Sequence, residues 1–129
     1  MDILSLFFIF IAVELFETNW QKSDTIYGLL NNNLNIFNKS IFFYFLLNAS
    51  FIYSIFLTIY LNNYNLLMLS IVAIKFFDIS FKISILQKIN NGLSFEEIMP
   101  NVQISYLLRY FNVFAYPITF LFANNFFQY

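Results

Sequence analysis

No cysteine and no histidine occurs in the 129 residues. That excludes disulfides, thiol chemistry, haem ligation through histidine and the usual zinc sites. Glycine is almost absent: Gly28 and Gly92 are the two in the chain, so there is no glycine-rich loop to cradle a phosphate. There is no His–Ser or Cys–His pairing, and although an acid pair such as Glu14 and Glu17 could in principle do acid–base work, no motif supports it. The chain therefore reads as a non-enzyme that needs no cofactor and no metal. Charge is scarce as well, at 10% of residues against about 25% in soluble domains. The net charge of −1 leaves no basic surface for nucleic acid.

What fills the chain instead is apolar: 60% hydrophobic residues, twenty Phe and nine Tyr, with a mean hydropathy of +0.71. This composition predicts an all-α polytopic membrane protein whose first partner is the lipid bilayer. The apolar runs divide residues 1–129 into a single bundle of four transmembrane helices, at residues 3–20, 40–61, 66–87 and 104–127. Short amphipathic helices are expected at the interface in the connections. The third span is the most informative. It is long enough to cross a hydrocarbon core of roughly 30 Å at about 1.5 Å per residue. Within it Lys75, Asp78 and Lys82 stand at i, i+3 and i+7, on one helical face. Unpaired ions are costly in hydrocarbon, so that face must look at protein or trapped water.

The other spans can be read by how they answer it. The first carries Glu14 and Glu17, with Thr18 and Gln21 extending the same face, and Trp20 suits the headgroup level. No positive segment precedes its apolar run, so it reads as a retained span and not a signal peptide. Between the first and second spans, Ile26, Leu29, Leu30, Leu34 and Phe37 recur at helical spacing, and Ser23 or Asp24 could cap an interfacial helix there. The second span has no ionisable acid or base. Its Ser50, Ser54 and Thr58 repeat every four residues as a small packing stripe, and Asn48 could bond across helices. A tight turn at residues 62–65 leads into the third span. Beyond it, Asn91-Gly92 is a helix end, and Ser94-Phe95-Glu96-Glu97 is a capping box for a short helix stopping near Pro100. In the fourth span Arg109, Asn112, Tyr116 and Thr119 share a face, and Pro117 predicts a kink.

Four spans put both termini and the short second connection on one side. Lys22, Lys39 and Lys88 lie in the other two connections. The positive-inside rule then places residues 21–39 and 88–103 in the cytoplasm and both termini outside, in a bacterial or organellar inner membrane. At that topology Glu14, Lys75 and Asp78 share a mid-membrane depth, while Glu17, Lys82 and Arg109 lie together toward the cytoplasm. Three acids face three bases. The expectation is an intramembrane charge network in which the first-span carboxylates pair with Lys75 or Lys82, and Asp78 with Lys75, Lys82 or Arg109.

Neutrality of that set favours interhelical ion pairs that fix packing, in an accessory, scaffold or assembly subunit of a larger membrane complex. The alternative is a small proton- or cation-coupled secondary transporter acting as a homo-oligomer. Glu14 midway along the first span, followed by Thr18 and Lys22, resembles the first helix of the small multidrug resistance transporters. The resemblance implies a proton- or drug-binding Glu14 in a homodimer. It covers one helix: both glycines of this chain fall in connections, and that family has no Lys-Asp-Lys third span.

Overall fold

The short polar residues that interrupt the apolar runs are where the helices start. The computed structural model describes residues 2–124, and its ordered elements there are helices: α1 (Ile3–Gln21), α2 (Ile26–Lys39), α3 (Ile41–Leu47), α4 (Ala49–Tyr60), α5 (Leu66–Asn90), α6 (Phe95–Ile98) and α7 (Tyr106–Ala123). The Asp2 side chain accepts from Ser5 N at 2.7 Å, Ser40 from Phe43 N at 3.3 Å, Asn65 from Met68 N at 3.0 Å and Ser105 from Leu108 N at 3.3 Å. Each satisfies one of the amide donors that a helix N-terminus leaves unpaired. Thr25, not Ser23 or Asp24, caps α2, its hydroxyl accepting from Gly28 N at 3.1 Å. Ser94 precedes α6 without a side-chain cap bond, so the capping-box pattern does not close. Among the described residues, left-handed backbone occurs at two turns between helices, at Asn62 (φ 50°) and Gly92 (φ 109°).

Four long elements close a ring, in which α1 packs on α7 and α4, and α5 packs on the same two. Thus α1 and α5 stand opposite each other across the bundle. One end of the ring is a dry core of Leu6, Phe10, Leu57, Met68, Ile71, Phe120 and Ala123. Asn63 and Asn65 hold that end together by donating to the Ala123 carbonyl, at 3.0 and 2.6 Å. At the opposite end the α1–α2 and α6–α7 connections are tied to each other. Ile26 N donates to Val102 O at 2.9 Å and Ile104 N to Asp24 O at 2.8 Å, around an isolated bridge between Thr25 and Gln103. The Tyr27 hydroxyl donates to Met99 O at 2.6 Å, and its ring stacks on Phe95.

The second apolar run is not one straight helix. It breaks at Asn48, where α3 and α4 meet at a bend of 63°. Asn48 turns its amide back to Tyr44 O at 2.8 Å instead of bonding to another helix. The carbonyl of Leu47 accepts from Trp20 Nε1 at 2.9 Å, so the indole ties α1 to the break. α7 runs continuously through Pro117, whose ring is fully buried.

Taken singly, α1 is the helix long and apolar enough to cross a membrane, and the bent pair α3–α4 also passes if counted as one span. The charges of α5 and the Arg109 and Asn112 of α7 dilute those two helices. The four-span pattern read from the sequence thus reduces here to an all-helical bundle with one clear candidate span. The last residues of the predicted fourth span, 125–127, lie outside the described residues.

Candidate functional site

Helical spacing brings Glu14 and Glu17 to one side of α1, and Lys75, Asp78 and Lys82 to one side of α5. The ring then turns those two sides toward each other. A cavity of about 290 Å³ lies between them, and all six of the charged residues singled out from the sequence line it. Its mouth is bordered by Lys22, Ser23, Val102 and Gln103, beneath the tied connections.

At its inner end Lys75 and Glu14 form a salt bridge, and both are almost wholly buried, at 5% and 1% exposure. Lys75 Nζ also donates to Ser50 Oγ at 2.9 Å and sits 3.8 Å above the centre of the Tyr116 ring. The ammonium therefore has an anion, a hydroxyl and an aromatic face, the combination that compensates removal of a cation from water. The Ser50 hydroxyl in turn donates to Glu17 Oε2. Glu14, Lys75, Ser50 and Glu17 thus make one linked group spanning α1, α4 and α5.

Toward the mouth the arrangement follows the sequence expectation for Asp78 and departs from it for Glu17. Lys82 pairs with Asp78 on its own helix at 3.3 Å, and it donates to Gln21 Oε1 at 3.1 Å. Arg109 does not meet Asp78 or Glu17. Its Nη2 bonds Asp24 at 3.0 Å and the Ser23 carbonyl at 3.1 Å, because the tie between the connections carries Asp24 to the start of α7. Glu17 does not reach a lysine, and Ser50 is its hydrogen-bond partner among the described residues. The Nε of Arg109 is buried and has no acceptor.

Ser50, Ser54 and Thr58 are all buried, as a packing stripe requires. They divide by partner, however. Ser54 and Thr58 bond back to Phe51 O and Ser54 O of their own helix, at 2.7 and 2.9 Å, whereas Ser50 belongs to the charged group. Two buried residues were missed altogether. The Tyr44 hydroxyl donates to Asn33 Oδ1 at 2.8 Å, and Asn33 Nδ2 donates to Gln21 Oε1 at 3.2 Å, extending the polar chain from Lys82 into α2 and α3. Asn33 sits in a run of three asparagines, and it is the one of the three that falls on the apolar face, four residues from Leu29 and from Phe37, a signal in the spacing that the sequence reading passed over. Among the described residues no cluster of three or more acidic ligands could hold a metal ion.

No protein-family model, no curated protein and no solved structure matches this chain.

Proposed function

We propose that this chain is a four-span integral membrane protein of a bacterial or organellar inner membrane, acting as an accessory, scaffold or assembly subunit of a larger membrane complex. The observation that carries the reading is an inside-out distribution of polarity. The bundle buries Glu14, Lys75, Ser50, Asn33, Asn48 and Gln21. Its outward faces carry Phe8 and Phe16 on α1, Phe56 and Ile59 on α4, Phe77 and Phe81 on α5, and Phe111 and Phe114 on α7, all exposed. A helix bundle in water turns the opposite way, polar faces out, and exposed apolar area on this scale needs lipid or protein to cover it. The interior cations are compensated within the chain, by Glu14 for Lys75, Asp78 for Lys82 and Asp24 for Arg109. Pairs of this kind fix arrangement more than they add net stability.

The absence of native cysteine makes the topology directly testable. A single cysteine at Asn63 is labelled by a membrane-impermeant maleimide in intact cells, and one at Asn91 only after permeabilisation. Labelling of both in intact cells would refute the topology. The subunit role is tested by the mass and composition of natively expressed, tagged protein in mild detergent. A second polypeptide at fixed stoichiometry supports it.

A second reading, a small secondary transporter acting as a homo-oligomer through Glu14, Lys75 and Asp78, is favoured by the charged cavity itself. A clean homo-oligomer in the same preparation supports it. So does a Glu14→Gln variant that accumulates normally yet loses transport.

A further inference from the structure

The charges around the cavity fall into two groups with different standing. The inner group is closed: Lys75 is saturated by Glu14, Ser50 and the Tyr116 ring. The outer group is open. Glu17 has one hydroxyl partner and no ion pair among the described residues. Asp78 is half exposed, and its one ion pair, with Lys82 at 3.3 Å, is longer than a good charge-assisted hydrogen bond. Arg109 keeps a buried donor, Nε, without an acceptor. These residues, with Asn112, line the hollow between α1, α5 and α7. Its volume of about 290 Å³ is at the lower end of small-molecule sites, which run from about 300 to 1,000 Å³.

Ligand chemistry can be chosen by elimination. A lone cation entering this space meets Lys82 and Arg109, and a lone anion meets Glu17 and Asp78. An apolar molecule strips water from all four and returns no hydrogen bond. A molecule with both signs a few bonds apart satisfies both sets. We infer that the outer cavity binds a small zwitterion of the α-amino-acid class, its carboxylate held by Arg109 and Lys82 and its ammonium by Glu17. The Arg109 side chain lines the hollow, and guanidinium–carboxylate pairing is the stronger, directional kind of hydrogen bond. The ammonium replaces the cation that α5 does not provide to Glu17. The site rests on the cavity and not on either reading of the whole protein, and it would serve a subunit as a sensing site as readily as a transporter.

The test uses full-length protein in lipid nanodiscs, titrated with the twenty common α-amino acids by thermal shift and then by calorimetry. At least one amino acid binds saturably, one per chain. Its methyl ester, which has lost the carboxylate charge, and its N-acetyl derivative, which has lost the ammonium, each bind about tenfold or more weakly. Glu17→Gln and Arg109→Gln reduce binding to a similar degree, while Ser54→Ala leaves it unchanged. The ester and N-acetyl comparison is made on the unaltered protein, so a variant that fails to fold does not remove the test. The inference is overturned if none of the amino acids binds, which is the result for a cavity holding water only. It is equally overturned if the ester or the N-acetyl derivative binds as well as the parent, which marks a one-sign site.

Discussion

Lys75 on α5 and Glu14 on α1 meet across the bundle, between helices that stand opposite in the ring and not side by side. A contact of that kind restrains all four walls at once, because α4 and α7 are held between the two helices that it joins. It also leaves each ion buried without its counter-charge if its partner is removed.

Removing one member of the pair should therefore be far worse than removing both. Lys75→Met or Glu14→Leu alone leaves a buried, uncompensated charge and is expected to cost about 3–5 kcal/mol. The double substitution should recover most of that loss, and the reversed pair, Glu14→Lys with Lys75→Glu, should restore accumulation of the protein. Denaturant unfolding in detergent, with accumulation measured by immunoblot, checks both expectations. Strictly additive losses in the double variant would argue against direct coupling.

Ser50 and Ser54 are equally buried and one helical turn apart, yet they should respond differently to alanine. Ser50→Ala removes the hydroxyl between Lys75 and Glu17 and is expected to destabilise by about 1–3 kcal/mol, the cost of a buried charge losing a hydrogen bond. Ser54→Ala removes only a back-bond to its own helix and should be close to neutral. Thermal unfolding of the two variants side by side makes the comparison.

Gly28 sits where α2 folds back on the preceding turn. A Cβ there would lie 1.9 Å from Ser23 Oγ and 2.8 Å from Ser23 Cβ. Gly28→Ala should thus cost about 1–3 kcal/mol through overpacking, and a second change, Ser23→Gly, should relieve most of it. Circular dichroism melting of the single and double variants is sufficient to decide.

Trp20 is the single tryptophan, which makes it its own reporter. In the wild type its emission should change in one step with loss of the α3–α4 bend. Trp20→Phe keeps the ring but not the donor to Leu47 O, and it should cost about 1 kcal/mol. Faster hydrogen exchange in α3 than in α1 or α5 would locate that loss at the break.

The parts of this arrangement that were legible in the sequence are those carried by periodicity. Helix positions follow from apolar runs punctuated by Asn, Ser and Gly. The facing of Glu14 and Lys75 follows from spacing plus the cost of an ion in an apolar run. What periodicity cannot carry is register between elements. Ser50, Ser54 and Thr58 are equivalent on a helical wheel, and only the height of α4 against α5 puts Ser50 alone beside Lys75. Arg109 could have met any acid at its depth. It meets Asp24 because a backbone tie between two connections, with Ile104 N on Asp24 O, sets that carboxylate beside it. The break at Asn48 was hidden for the same reason. Asparagine inside an apolar run does not end a helix by itself, and the donor that meets the Leu47 carbonyl at the bend, Trp20, is 27 residues before Leu47.

That last contact bears on how the molecule is made. Chains are synthesised from the N-terminus, and early segments fold before later ones emerge. The indole of Trp20 is synthesised 27 residues ahead of Leu47, so the donor that meets the carbonyl at the bend already exists when α3 forms. A chain in which the first helix is supplied separately, after the rest, would have to bend its second apolar segment with no guide to bend it against.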